Sequence, residues 1–187
     1  MNIILHEILN VSNETLDSLN TNFINQYNFY HNPEYFHLES GREHYRLLIF
    51  ISSLYRKQIL FDIGTYRCMS AAALSSSMMN RIKTYDIKQI LPINPILPGV
   101  QYCFGDVTQD KELTKSLFIF LDVAHDGIFE NKLYNHLKEI KWKGLLLLDD
   151  ILYHTVAMTE FWNNITEEKY DITKIGHWSG TGIANFE

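Results

Sequence analysis

Five short apolar runs punctuate the chain, and each ends on or beside an acid. They are QILFDIG (58–64), IKTYDI (82–87), VQYCFGD (100–106), LFIFLD (117–122) and GLLLLDD (144–150). Each is too short for a helix, and the last two are almost unbroken leucine, isoleucine and phenylalanine. That pattern predicts strands buried on both faces of a parallel sheet. Segments with helical spacing alternate with them. REHYRLLIFISSLY (42–55), SAAALSSSMM (70–79), IFENKLYNHLKEI (128–140) and HTVAMTEFWNNI (154–165) read as helices, the second small enough to pack close to a sheet. YDITKIG and GTGIANF read as two closing strands, in a hairpin. LPINPILPGV, with three prolines, must be a loop. Residues 1–40 are polar and aromatic, and predict a short helix or two plus loops, an N-terminal cap on the 41–187 core.

Strands that alternate with helices predict an α/β fold of one domain, a mainly parallel sheet with helices on both faces. Ligands bind such sheets beyond the carboxyl ends of the strands. Asp62, Asp86, Asp106, Asp122 and Asp149 all fall at or just past those ends. Carboxylates gathered on one edge repel one another unless cations or hydroxyl groups compensate them. Two ligand types would do so. A ribose presents vicinal hydroxyls, and Asp86 stands about twenty residues after the first strand-to-helix turn, where such an acid is expected. A hard divalent cation takes oxygen ligands, and Asp122, Asp149 and Asp150 offer three carboxylates from adjacent strands. His125 would stand near that cation, able as a neutral imidazole to take a proton from a hydroxyl.

Composition narrows the classes. The 187 residues are 46% apolar and 20% charged, with a formal charge of −6 and interspersed signs. No basic stripe suggests a nucleic-acid partner, and no apolar run reaches the ~20 residues of a membrane span. MNIILHEILN lacks a basic leader, and the two cysteines, Cys68 and Cys103, have no paired spacing. Both features fit a reducing, cytoplasmic setting.

These motifs, in their order, resemble the class I S-adenosylmethionine-dependent methyltransferases, and among them the metal-dependent O-methyltransferases of the catechol and antibiotic-sugar types. FDIGTYRCMSAAAL resembles the first motif, TYDI the second and FGDVT the stretch that flanks the adenine. FIFLDVAHDGIFENKLYNHLKEIKWKGLLLLDDI is similar to the metal-binding block. The resemblance spans Arg42 to the C-terminus. It implies a Rossmann-like seven-stranded sheet with an antiparallel last strand. It also implies S-adenosylmethionine contacts from Asp62, Gly64, Tyr66, Ser70, Asp86 and Asp106. Mg²⁺ or another divalent cation would be held by Asp122, Asp149 and Asp150, with His125 as the base. The histidine tilts the implied acceptor toward a vicinal diol of a sugar or glycan over a catechol. Cys68 departs from the motif, which has glycine there; its added side chain would narrow the pocket or weaken the cofactor.

Plainer readings stand beside these. Asp62 or Asp150 would serve as a helix cap, and His125 as a structural histidine bonded to a carbonyl. Tyr153 and His154 follow the acid pair and either touch the acceptor or are merely exposed. GHWSGTG reads as a turn into the last strand and not as a phosphate cradle. The aromatic stretch YNFYHNPEYFHLES offers core packing, an acceptor surface or a homodimer surface. Two other functions remain: a catalytically weak binding module on the same fold, and a nicotinamide oxidoreductase. GTYRCMS disfavours the second, since it lacks two glycines of the dinucleotide fingerprint.

Overall fold

A computed structural model describes residues 3–27, 33–88, 96–152 and 156–187. The first part of the proline loop, along with Tyr153 and His154, lies outside the described residues. The cap consists of α1 (Ile3–Asn10), α2 (Asn13–Asp17) and two single turns of 3-10 helix. The core then runs α3 (Tyr45–Leu54), β1 (Ile59–Ile63), α4 (Met69–Ser75), β2 (Arg81–Asp86), β3 (Val100–Phe104) and β4 (Phe118–Leu121). It closes with α5 (Ile128–Glu139), β5 (Gly144–Asp149), α6 (Val156–Asn164), β6 (Glu168–Asp171) and β7 (Thr181–Phe186).

The seven strands form one sheet in the order β3-β2-β1-β4-β5-β7-β6. β7 slots between β5 and β6 and runs antiparallel to both. The other pairs are parallel. The sheet is therefore Rossmann-like with an antiparallel last strand, as the motifs imply. The closing strands do form an antiparallel pair, but a 3-10 turn and a loop separate them, and this length lets β7 reach past β6 to β5.

Side-chain alternation along the strands builds two cores. Leu60, Phe118, Phe120, Leu145 and Leu147 face the layer of α1, α3 and α4. Phe61, Ile63, Ile119, Leu121, Leu146 and Leu148 face α5 and α6. Every residue of α4 is buried, so its alanines and serines are what closeness to sheet and α3 permits. Ser52 of α3 donates to the Leu74 carbonyl at 2.5 Å, and Asn80 ties back to Ser52 and Tyr55. One expectation fails locally: β3 is an edge strand and half-exposed, not buried on both faces. Its exposure comes from its place at the edge and not from its composition, since four of its five residues are apolar.

Arg46 joins cap to core. Its guanidinium donates to the carbonyls of Leu16, Asp17, Leu19, His37 and Leu38. Among the described residues no helix is long and apolar enough to cross a membrane.

Candidate active site

The same alternation that fills the cores aims the acids. Asp62 follows Leu60 by two, Asp122 follows Phe118 and Phe120, and Asp149 follows Leu145 and Leu147. All three side chains therefore point to the α3 face at the carboxyl edge of the sheet. His44, the residue before α3, sits over them. It is 3% exposed, and its Nδ1 lies 3.5 Å from Asp149 Oδ2.

β1 and β4 are held unusually close here. Gly64 has φ +109°, and a Cβ on it would meet the Asp122 carbonyl oxygen at 1.6 Å. Gly64 is thus the only residue type that lets the chain leave β1 against β4. The turns that follow β1, β4 and β5 are also left-handed, at Tyr66, Cys68, His125 and Asp150, none of them glycine. Such backbone costs on the order of 1 kcal/mol per residue and clusters at functional sites.

Asp62 is wholly buried. Its Oδ2 accepts from Thr84 at 2.6 Å, Ser70 donates to the carboxyl, and Oδ1 has no partner. Burial pushes its pKa up to about 7, against the two hydroxyl hydrogen bonds. Asp86 ends β2 and accepts the Tyr66 amide at 3.0 Å. Between these strands opens a cavity of about 560 Å³, in the size range of small-molecule sites. Gly64, Tyr66, Asp86, Gly105, Asp122 and Phe129 are among its lining residues. Ile87 and Ile128 stand at its wall 78% and 75% exposed, apolar surface that a ligand would cover.

Of the sequence candidates, Gly64, Tyr66, Asp86 and Asp122 line this cavity. Asp62 and Ser70 lie behind it. Asp106 is engaged elsewhere: it caps the following 3-10 turn through Thr108 and pairs with Lys132, while its neighbours Gly105 and Val107 reach the cavity wall. Cys68 does not line the cavity. Its backbone takes the glycine-like φ of +68°, and its buried thiol contacts the Tyr102 hydroxyl.

Beside Asp122 the acids and histidines interlock. His125 Nε2 lies 3.2 Å from Asp122 Oδ1 and 3.3 Å from Asp150 Oδ2. The buried Glu130 accepts the His125 amide at 3.0 Å, which fixes that turn. His177 Nδ1 lies 3.1 Å from Asp149 Oδ2. Burial raises the Asp149 carboxyl, but the His44 charge and the His177 hydrogen bond outweigh it and hold the group well below the usual carboxylate range. Burial likewise pulls His177 down, yet its bonds to Asp149 and Asp150 win and push it up to about 10. Burial pushes Asp122 up, against the hydrogen bond from His125.

The architecture has counterparts among solved structures. An O-methyltransferase from Bacillus cereus, in complex with SAH, superposes with a TM-score of 0.57 at 13% identity, over 100% of this chain and 92% of that one. The SAH-bound methyltransferase PaMTH1 of Podospora anserina gives 0.55 at 12%, over 76% and 77%. The O-methyltransferase TomG of Streptomyces achromogenes, involved in tomaymycin synthesis and in complex with SAM, gives 0.53 at 12%, over 75% and 78%. The chain has the S-adenosylmethionine-dependent methyltransferase fold. No protein-family model matches its sequence, and no curated protein matches it either.

Within the methyltransferase fold, three residues of the cluster escaped the sequence reading: Glu43, His44 and His177. The first two fall inside the helix predicted over 42–55 but precede the observed α3, which begins at Tyr45, and the third lies in a stretch read as a turn. No local signal marks them, because they meet only when α3 crosses the sheet edge and β7 inserts beside β5. Among the described residues the three acids do not by themselves form a grouping compact enough for an ion; beside them the compact groupings each include an imidazole, His44 with Asp122 and Asp149, and His125 with Asp149 and Asp150.

Proposed function

We propose that the protein is an S-adenosylmethionine-dependent O-methyltransferase, assisted by a divalent cation, that acts on a vicinal diol of a sugar or glycan. The observation that carries this reading is the juxtaposition at one sheet edge: an open cavity of about 560 Å³ whose wall ends on Asp122, inside a carboxylate–imidazole cluster.

The residues present fit the cofactor. Asp86 faces the cavity where hydroxyls of a ribose would meet a carboxylate, and the partnerless Oδ1 of Asp62 suits an ammonium group. Gly64 and Tyr66 form the floor between them. S-adenosylmethionine, when bound, supplies an electrophilic methyl on sulfur. The carboxylates of Asp122, Asp149 and Asp150 would hold Mg²⁺ or another divalent cation, whose charge lowers the pKa of an acceptor hydroxyl. His125 Nε2 faces the same carboxylates and takes the hydroxyl proton, and Asp122 and Asp150 stabilise the imidazolium that results. Methyl transfer from that sulfur to the acceptor oxygen would need no covalent enzyme intermediate, so the chain's contribution would be alignment and charge.

Calorimetric titration with S-adenosylmethionine and S-adenosylhomocysteine, with and without Mg²⁺, tests the cofactor. Saturable heat is expected, and its absence in both conditions would reject the reading. Release of S-adenosylhomocysteine with a panel of sugars carrying adjacent hydroxyls, set against catechols, tests the acceptor. Turnover confined to catechols would reject the sugar.

A further inference from the structure

A carboxylate and two imidazoles meet on the cap side of the acid pair, outside the cofactor cavity. Glu43, His44 and His177 each bring a ligand atom to within 4.8 Å of the others. His177 Nε2 lies 3.8 Å from Glu43 Oε2. A tetrahedral ion with bonds of about 2.1 Å has ligand–ligand edges of ~3.4 Å, so this separation is near that of a filled site.

Two further observations point to an ion. Neither ring nitrogen of the buried His44 makes a hydrogen bond; its contact to Asp149 has the distance of an ion pair without hydrogen-bond geometry. Buried polar atoms are rarely left so. His177, in turn, is oriented as metal-bound histidines are. Its Nδ1 faces the Asp149 carboxylate at 3.1 and 3.2 Å and Ser179 Oγ at 2.7 Å. A carboxylate only accepts, so Nδ1 carries a proton, and Nε2, turned toward Glu43, is the nitrogen that an ion would take by displacing the second proton.

The geometry points to a divalent transition-metal site formed by Glu43, His44 and His177, with Asp149 as the carboxylate that orients His177. Imidazole nitrogen selects ions such as Zn²⁺, Fe²⁺ or Co²⁺ over Mg²⁺, which prefers oxygen and water. Three protein ligands leave at least one position open, the arrangement of a reactive site more than of a purely structural one. The ion would also tie the segment before α3 to the loop before β7. The inference goes beyond methyl transfer: it shares Asp149 with the proposed carboxylate site, which needs neither Glu43 nor His177.

The test uses the full chain stripped with a chelator and titrated with Co²⁺, followed by visible d–d absorption. With millimolar Mg²⁺ present to fill the carboxylate site, one Co²⁺ per chain with nitrogen ligation is expected. His177→Ala and Glu43→Gln should each weaken binding by about tenfold or more, while His125→Ala leaves it unchanged. Thermal unfolding of the stripped variants confirms that they fold, and the conservative Glu43→Gln carries the test if His177→Ala does not. Co²⁺ affinity unchanged by these two substitutions, or Co²⁺ displaced by equimolar Mg²⁺, would overturn the site. S-adenosylhomocysteine titrated into the stripped protein reports separately on the methyltransferase reading.

Discussion

Asp62 should make the stability of this fold fall with pH. Its carboxyl is wholly buried, and its folded pKa is about 7 against an ordinary value of 3.8. A raised folded pKa means that the folded state holds the proton more tightly than the unfolded chain. The folded state is therefore not penalised below about pH 4, loses stability as pH rises, and levels off above pH 7. A difference of roughly three units corresponds to about 4 kcal/mol, a large part of the stability of a domain this size. Asp62→Asn keeps the shape and the Thr84 contact but has no proton to lose. Urea unfolding of both proteins, followed by tryptophan fluorescence in steps from pH 4 to 8.5, isolates the effect. Every other titrating group is common to the pair and cancels in the difference. The wild type should lose about 4 kcal/mol relative to the variant across this range. A difference that stays flat within about 1 kcal/mol would show that Asp62 is ionised at little cost, and the burial argument would be wrong. An ammonium group brought beside Oδ1 favours the charged form, so cofactor affinity should rise over the same interval.

Three other outcomes follow from the geometry. Arg46→Met removes five carbonyl contacts that pin the cap, and should cost about 2–4 kcal/mol in urea unfolding; a loss below about 1 kcal/mol would mean that the cap holds by its apolar contacts alone. Gly64→Ala places a Cβ 1.6 Å from the Asp122 carbonyl oxygen, so a loss of more than about 3 kcal/mol or insoluble expression is expected; a variant with wild-type stability would contradict so close an approach of β1 and β4. His125→Ala should lower turnover by roughly 10²- to 10⁴-fold while S-adenosylhomocysteine binding, measured by calorimetry, stays put; undiminished turnover would assign the proton transfer elsewhere.

The strands were legible because burial on both faces leaves a plain mark. Ile119 to Leu121 and Leu145 to Leu148 have no other plausible home than the middle of a sheet. β3 was legible as a strand but not as an edge, since VQYCF shows which residues prefer extended backbone and not which flank is open. The candidate acids were legible for the same reason as the strands: each lies where an apolar run stops. Their neighbours were not. Glu43 and His44 are 79 and 78 residues from Asp122, and His177 precedes a strand whose partner could not be read from its own sequence. Such contacts depend on topology, and the insertion of β7 between β5 and β6 is a decision of the whole sheet.

That gap changes how the acids are compensated. From the sequence, five carboxylates at one edge, with Asp150 beside the last, demanded ligands. In the fold, all six have internal partners, of different kinds. Hydroxyls serve Asp62, a backbone amide serves Asp86, Lys132 serves Asp106, and imidazoles serve Asp122, Asp149 and Asp150. The kinds are not equal in consequence. A lysine neutralises its acid and leaves little for a ligand to gain, whereas a backbone amide leaves the Asp86 carboxylate its charge and spare lone pairs. An imidazole exchanges its proton for a substrate's proton or for a metal ion at modest cost near neutral pH. The edge therefore sorts itself: the β3 end is closed by the Asp106–Lys132 pair, while the Asp122–Asp149–Asp150 end is held by imidazoles, of which His177 keeps its proton most tightly. Chemistry belongs at the second end, next to the cavity that Asp122 borders.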